Sequence, residues 1–426
     1  MKQKNFYKIK LFVFICFVFF FFSVSPSYAQ KLHFGIISAV KDKIQQLKQK
    51  KEEAEKIKLG PMTVVLNTET ENNLIGISED GLTYYFSQQA SQISTLKQGN
   101  IIISTKGNGF LRKVVSVDTI ASGYAVITTT ATLEEAFEKL DIEFTKTLTA
   151  SDIHPQRAPS LMKGITIQRI TPDGEFTISI SSSVVLYDHD GDYETTDDQI
   201  IAEGTLKFKL GIDFKIKIEW FDLKEIKFVK TVEETAEVNL ISEIKKEWEE
   251  EITVGTIYFS PIPVGPVVFV PEARIVLGVS GQAGLKITTG ITQTASIRAG
   301  LEYNCGTWAP IAEFTSDFTP QPISLTIDGD IKAYAGPKLL VKIYGIVGPY
   351  IDVEGYLKLV AQLFPENYWK LYGGIECKGG VEFAILSFFE ENYEATLIDW
   401  SILIKEGTII SINRSPEILS LTADPS

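Results

Sequence analysis

Hydrophobic and polar residues alternate along much of the second half of the chain. From residue 206 to residue 220 every even position is apolar, and most odd positions carry a charged side chain. A period of two predicts a β-strand with one buried face, here about 50 Å long. After a turn at Phe221-Asp222, the same alternation resumes and reaches Val254. Between residues 232 and 250 apolar side chains also recur every fourth position, so a helix is the alternative there, and the flanking alternation favours the strand.

The rest of the chain predicts a mainly β protein. Thr132 and Glu135 have the spacing of a capping box, which predicts one short helix within a series of short strands. We therefore expect a small β-rich N-terminal domain with a short helix, followed by a large antiparallel β-sandwich or curved sheet. The predicted segments are a signal peptide (1–29), an amphipathic helix or spacer (30–60), the small domain (61–150), a linker (151–163), the large domain (164–410) and a tail (411–426).

Residues 1–29 have the pattern of a secretory signal peptide. Four lysines precede an apolar run over residues 11–22, and the small-x-small triplet Ser27-Tyr28-Ala29 predicts cleavage before Gln30. The apolar run spans only about 18 Å as a helix, which is too short for a membrane anchor. No other apolar run is long enough to predict a helical membrane span. We therefore expect an exported protein, secreted or held in the cell envelope.

The net charge argues against one class of partner. The full chain has 41 basic and 54 acidic residues and a net charge of −13. Without the four lysines of the leader, 37 basic residues face 54 acidic ones, which gives −17. Binding to nucleic acid depends largely on lysine and arginine that neutralise phosphates. An excess of carboxylates therefore predicts that nucleic acid is not a partner.

An acidic segment over residues 188–198 is the sharpest local feature. It contains six carboxylates within 11 residues, between two predicted strands. Ca²⁺ prefers six to eight oxygen ligands, so the segment predicts a structural calcium site. The ligands would be Asp188, Asp190, Asp192, Asp197 and Asp198. The glycine and the final glutamate of an EF-hand loop are not at the required positions, and a solvated acidic turn is the alternative.

Cys305 and Cys377 are the two cysteines that remain after the leader is removed. Export would place them in an oxidising compartment, where disulfides persist. A disulfide between Cys305 and Cys377 is therefore one prediction, and two buried free thiols are the other. The distance between their Cβ atoms decides, and the sequence does not give it.

No catalytic motif stands out along the chain. The three histidines have no context typical of a catalytic triad, and no phosphate-binding or dinucleotide-binding loop is present. The sequence therefore predicts a protein that is not an enzyme and has no cofactor other than Ca²⁺. Aromatic residues are concentrated in the last third, where they predict either core packing or a surface that stacks on sugar rings. These residues are Tyr344, Tyr350, Tyr356, Tyr368, Trp369 and Tyr372.

Two groups of motifs carry a resemblance to known sequences. Residues 74–145 resemble a module near the N-termini of bacterial surface proteins, above all in the stretches Asn108-Gly109-Phe110-Leu111-Arg112-Lys113-Val114 and Ala131-Thr132-Leu133-Glu134-Glu135-Ala136. The β-rich region that follows it is resembled by Tyr334-x-Gly336-Pro337, Gly348-Pro349-Tyr350 and Leu371-Tyr372-Gly373-Gly374-Ile375-Glu376. Together they cover most of the mature chain and resemble uncharacterised exported β-rich proteins of bacteria. The resemblance implies an extracellular or envelope location, and it implies no mechanism.

The sequence as a whole predicts a secreted or cell-surface, non-enzymatic β-protein with a binding or structural role. A glycan, another envelope component or an extracellular protein is the expected partner. The alternatives are an outer-membrane β-barrel and a β-protein that carries lipid in an apolar groove. A secreted hydrolase ranks below them, because abundant Asp and Glu residues make any catalytic pair of carboxylates uninformative.

Overall fold

The computed structural model is built almost entirely of β-strands, as the alternating pattern predicts. It describes residues 56–188, 199–244, 247–283, 285–320, 324–325, 329–346, 348–362, 368–381, 393–410 and 420–423. All elements after the first strand belong to one compact unit, residues 59–426. The part of the chain described here contains no helix that is both long and apolar enough to cross a membrane.

The first elements form a small sheet, which we call the N-terminal sheet. Its strand order is β2-β5-β6-β7-β4-β3, with β2 and β5 parallel and the other pairs antiparallel. Phe86, Ile102 and Val126 are fully buried in its core. The elements up to this point are β1 (Ile57–Leu59), β2 (Thr63–Val65), α1 (Thr68–Asn72), β3 (Leu74–Ile77), β4 (Thr83–Ser87), a 3₁₀ turn (Ile93–Thr95), β5 (Ile101–Ser104), β6 (Phe110–Ile120) and β7 (Gly123–Thr130).

Helix α2 (Leu133–Ala136) follows the N-terminal sheet and leads into β8 (Phe137–Leu148). The capping box predicted from Thr132 and Glu135 is formed, because the Glu135 backbone N–H donates to the Thr132 hydroxyl and the Thr132 N–H donates to the Glu135 carboxylate. The helix is only one turn long. Phe137 and Leu140, which follow it, are fully buried and belong to β8.

The large domain consists of strands that pair with their neighbours in antiparallel fashion. The remaining elements are a 3₁₀ turn (Ala150–Asp152), β9 (Ser160–Leu161), β10 (Ile165–Ile170), β11 (Phe176–Asp188), β12 (Gln199–Glu219), β13 (Asp222–Ile244), β14 (Glu247–Tyr258), β15 (Ile262–Val264), β16 (Val267–Ala283), β17 (Leu285–Asn304), β18 (Thr307–Pro320), β19 (Ser324–Leu325), β20 (Gly329–Ile343), β21 (Pro349–Gln362), β22 (Tyr368–Val381), β23 (Tyr393–Ile410) and β24 (Ser420–Ala423).

The front sheet contains the long strands that the alternation predicts. Its order is β8-β12-β13-β17-β18, and β11 pairs with the first half of β12. The even side chains of β12 from residue 206 to residue 218 are all buried. Strand β13 confirms the strand interpretation of the segment that also fits a helical period. The turn lies one residue earlier than predicted: Trp220 and Phe221 form it at positive φ, and Trp220 is 80% exposed.

The back sheet has the order β24-β23-β22-β21-β20-β16-β14-β9, and it packs against the front sheet as a sandwich. Aromatic rings join the two layers. The Phe214 ring of β12 lies 4.7 Å from the Phe269 ring of β16, and the Phe144 ring of β8 lies 4.9 Å from the same ring. Around these three rings the interior is a packed apolar core.

The segment predicted as a linker, residues 151–163, is tied to the back sheet. Ile153 forms an isolated bridge with Phe259, and β9 pairs with β14. The backbone N–H of His154 donates to the Tyr258 carbonyl at 2.8 Å. These contacts hold residues 153–161 against one end of the back sheet. At the other predicted boundary, residues 57–59 form β1, where the sequence predicts the end of a helix or spacer.

Candidate functional site

Of the five predicted calcium ligands, the structure describes Asp188 alone. Asp188 ends β11, and its carboxylate accepts a 2.7 Å hydrogen bond from the Gln199 side chain, at the start of β12. Asp190, Asp192, Asp197 and Asp198 lie outside the described residues, so the calcium site remains a prediction. Among the residues that are described, no three His, Cys, Asp or Glu side chains are grouped so that they could hold a metal ion.

The predicted disulfide between Cys305 and Cys377 is not formed in the structure. Both cysteines are free. Cys305 is exposed in the turn between β17 and β18, where its φ is 43°. Cys377 is fully buried on β22, and burial raises the pKa of its thiol to about 12. One thiol is therefore at the tip of a hairpin and the other is in the core, a separation that the sequence spacing did not reveal.

A lysine is buried between the two sheets. Lys230 lies on β13 among apolar side chains and has no solvent exposure. Its ammonium donates hydrogen bonds to the backbone carbonyls of Pro337 on β20 and, at 3.4 Å, of Ile351 on β21. The pairing of β20 with β21 is interrupted at Gly336 and Pro337. The Pro337 carbonyl that accepts from Lys230 therefore belongs to the interrupted part of the strand. Burial lowers the pKa of Lys230 to about 8.

Unlike Lys230, Glu234 and Gln293 each have a buried polar atom with no hydrogen-bond partner among the described residues. Glu234 lies four residues after Lys230 on the same buried side of β13, and neither of its carboxylate oxygens is bonded. Burial raises the pKa of Glu234 to about 8, against the opposing effect of Lys230. The Nε2 of Gln293 on β17 is also unbonded. Gly355 makes room for Gln293, because a Cβ at Gly355 would overlap that amide.

The outer side of the back sheet carries tyrosine rings that lie on glycines of neighbouring strands. A Cβ at Gly278 would overlap the Tyr334 ring, and a Cβ at Gly374 would overlap the Tyr356 ring. A Cβ at Gly380, on the same strand as Gly374, would overlap the Tyr350 ring. Each ring therefore covers bare backbone, an arrangement that flattens the aromatic groups against the sheet.

Lysines and carboxylates fill the space between these rings. The Lys332 ammonium is 4.4 Å from the centroid of the Tyr356 ring and pairs with Glu376 at 2.7 Å. Lys338 is 4.8 Å from the Tyr350 ring and pairs with Asp352 at 2.8 Å. These are cation–π contacts combined with ion pairs. We call this surface the tyrosine face, and it consists of Lys332, Tyr334, Lys338, Tyr350, Asp352, Glu354, Tyr356 and Glu376.

Glu354 lies at the centre of the tyrosine face and is 6% exposed. Burial raises the pKa of Glu354 to about 8, and the nearby carboxylates of Asp352 and Glu251 add to the effect. A carboxyl group with this pKa is partly protonated near neutral pH, so it can donate as well as accept a hydrogen bond. The face therefore offers donors and acceptors between flat aromatic rings.

The aromatic residues predicted from sequence divide between two environments. Tyr350, Tyr356 and Tyr372 occupy outward register positions of the back sheet. Tyr344 is buried in the turn after β20, where its hydroxyl donates to the Pro266 carbonyl. Trp369 is buried on β22. The group thus contains both residues of the interior and residues on the outer side of the back sheet.

A second concave region lies on the outer side of the front sheet. It is a groove of about 450 Å³ whose lining includes Lys207, Thr294, Ser296, Thr315 and Asp317. Hydroxyl and charged groups line it, and the lining residues that the structure describes include no aromatic side chain. It therefore lacks the flat apolar surfaces of the tyrosine face.

Sequence reasoning missed Lys230 and Glu234, although a signal was present. Both occupy even positions of β13, where the alternation requires apolar side chains. It also missed the pairing of tyrosine with glycine, because Tyr334 and Gly278 are far apart in the chain and meet only through the register of β16 with β20.

Comparisons with protein-family models, with curated proteins and with solved structures gave no match to this chain.

Proposed function

We propose that the protein is an exported, non-enzymatic binding protein, and that its tyrosine face binds a glycan or another carbohydrate-containing component of the cell envelope. The observation that carries the proposal is the set of rings held flat on glycines and separated by paired lysines and carboxylates. Export is part of the proposal and is supported by the leader-like pattern of residues 1–29.

The chemistry of such a surface suits a sugar. A pyranose ring has an apolar side formed by C–H groups, which packs on an aromatic ring, and hydroxyl groups that need hydrogen-bond partners at the edge. Tyr334 and Tyr350 supply half-exposed rings. The ammonium groups of Lys332 and Lys338 and the carboxyl group of Glu354 supply donors and acceptors beside them.

The non-enzymatic assignment is supported by the sequence, which lacks the motifs of known nucleophiles and nucleotide sites.

A glycan array tests the proposal, with the protein applied in the presence and absence of Ca²⁺. We expect binding to a defined set of glycans, and about 5- to 10-fold weaker binding by Tyr334→Leu and by Tyr350→Leu, because leucine covers the glycine but offers no ring. Tyr85→Leu, a half-buried tyrosine of the N-terminal sheet, is the matched control and should bind as the native protein does.

A second variant keeps every tyrosine and changes only the position of the Tyr334 ring. Gly278→Ala places a Cβ where the Tyr334 ring lies, so the ring must move off the sheet. We expect the same loss of binding as for Tyr334→Leu. If no glycan of the array is bound, the proposed binding role is contradicted. It is also contradicted if Tyr85→Leu weakens glycan binding as much as the two variants of the tyrosine face do. Export is tested separately by mass spectrometry of the secreted protein, which should begin at Gln30.

A further inference from the structure

A small polar cavity lies where the segment after β8 meets the back sheet. Its volume is about 60 Å³, roughly the space of two liquid waters or one small oxyanion group. We call it the Arg157 pocket. The polar side chains in its lining are Asn108, His154, Arg157, Tyr258, Glu272 and Lys342.

The pocket is rich in hydrogen-bond donors. The backbone N–H of Gln156 donates to Nδ1 of His154 at 3.2 Å, which fixes the proton of a neutral ring on Nε2 and makes that nitrogen a donor. The Arg157 guanidinium lies 3.4 Å above the Tyr258 ring, and within the described part of the chain no carboxylate pairs with it. Its edge N–H groups therefore remain available for an anion.

The one carboxylate in the lining is already neutralised. Glu272 accepts 2.8 Å and 2.9 Å hydrogen bonds from Lys342 and Arg274. Burial alone would raise the pKa of Glu272, and these two cations hold it below its ordinary value instead. Lys342 and Arg274 thus share one carboxylate, and Arg157 is a third cation at the same place. The site keeps a positive surplus within a strongly acidic protein.

The Arg157 pocket and the tyrosine face are parts of one surface. Lys342 and Lys338 lie on the same outward side of β20, four residues apart, which is about 13 Å along a strand. Lys338 contacts the Tyr350 ring. A chain of two or three sugar units is long enough to reach from the ring to the cavity.

We propose that the Arg157 pocket binds a small oxyanion group, a carboxylate or a phosphate, on the ligand of the tyrosine face. The ligand class is then an anionic glycan, and this inference rests on the proposed function. Arg157 supplies a forked donor pair, His154 and Lys342 supply single donors, and Tyr258 holds the guanidinium in place.

Titration calorimetry with matched ligands tests the proposal. The probes are a galacturonic acid tetramer with its carboxyl-reduced form, and a phosphorylated oligomannose with its dephosphorylated form, so that each acidic probe has its own neutral one. We expect the native protein to bind at least one acidic probe about 10-fold more tightly than the neutral one, and the acidic probe that binds identifies the group. Arg157→Gln should remove this preference. Arg169→Gln, an exposed arginine on β10, removes the same charge elsewhere and should keep the preference.

The outcomes separate this inference from the proposed function. Equal binding of acidic and neutral probes, or a preference that survives Arg157→Gln, would overturn the anion pocket and leave glycan binding intact. If no oligosaccharide binds, the proposed function fails, and titration with inorganic phosphate alone decides the pocket: binding by the native protein that Arg157→Gln abolishes supports it, and no binding overturns it. Circular dichroism of the exposed variants confirms that they fold.

Discussion

The back sheet meets a lysine on each of its two sides, and the two lysines have different surroundings. Lys230 reaches the inner side from the front sheet, is fully buried, and bonds to backbone carbonyls. Lys332 lies on the outer side, is partly exposed, and pairs with Glu376 beside a tyrosine ring. The same residue type thus completes the core in one place and forms part of a surface in the other. Burial, rather than charge, distinguishes the lysine that belongs to the core from the lysine that belongs to the proposed binding surface.

The largest difference between interior and surface should appear in thiol reactivity. Cys305 is exposed and Cys377 is fully buried with a pKa raised to about 12. In the folded protein we expect a thiol reagent to modify Cys305 at least about 10³-fold faster than Cys377, because Cys377 must wait for unfolding. Timed labelling with mass mapping measures both rates. Similar rates for the two thiols would contradict the packed interior.

The next effect concerns the buried lysine. Lys230→Ala should lower the free energy of unfolding by about 3–5 kcal/mol, since it leaves a cavity and removes the hydrogen bonds to two buried carbonyls. Lys230→Met fills the volume but not the hydrogen bonds, and we expect it to recover about half of the loss. Denaturant unfolding gives both values. A loss below about 1 kcal/mol for Lys230→Ala would show that the ammonium does not stabilise the sandwich.

A third prediction uses pH to test the interior. Burial raises the pKa of Glu234 from 4.5 to about 8, so the folded state holds this proton more tightly than the unfolded chain does. The carboxyl group therefore costs no stability near pH 4.5 and lowers stability progressively as the pH rises towards 8. Glu234→Gln should be more stable than the native protein by up to about 4 kcal/mol at pH 7.5, and should show almost no gain at pH 4.5.

The exposed neighbour of Glu234 is the control for this pH effect. Glu233→Gln removes a carboxylate from the outer side of the same strand and should change the free energy of unfolding by less than about 0.5 kcal/mol at either pH. If Glu234→Gln gave the same change at both pH values, the carboxyl group would not be buried with a raised pKa.

The smallest effect on stability is expected on the tyrosine face. Lys332→Met removes a partly exposed ion pair and a cation–π contact, which together stabilise by about 1 kcal/mol or less. The same variant should weaken glycan binding several-fold, since it removes a donor between the rings. Unfolding and binding measured on one preparation give both numbers. A stability loss as large as that of Lys230→Ala would erase the distinction between the two lysines.

Much of the fold follows from local pattern. Strands β12 and β13 are evident from alternation, and the capping box of α2 follows from the spacing of Thr132 and Glu135. These features depend on residues that are close in sequence. The turn between β12 and β13 lies at Trp220 and Phe221, one residue before its predicted position. The exact position of a hairpin turn depends on the backbone twist of the strands, which side-chain polarity does not reveal.

The candidate site depends on register between distant strands, which one sequence does not give. The pattern identified an aromatic-rich region but did not show that Tyr356 meets Gly374 or that Tyr344 points into a turn. Lys230 was detectable as a polar residue at an apolar position. Its partners were not, because Pro337 and Ile351 belong to the opposite sheet. Long-range pairing therefore marks the limit of the sequence analysis.

The most direct test of the central claim is a calorimetric titration of the strongest array glycan into three proteins: the native chain, Tyr334→Leu and Lys230→Met. If the tyrosine face binds the ligand and the interior only supports the fold, Tyr334→Leu loses affinity by about 5- to 10-fold while Lys230→Met binds as the native protein does, although it is less stable. Unchanged affinity in Tyr334→Leu, together with a loss in Lys230→Met, would contradict the account.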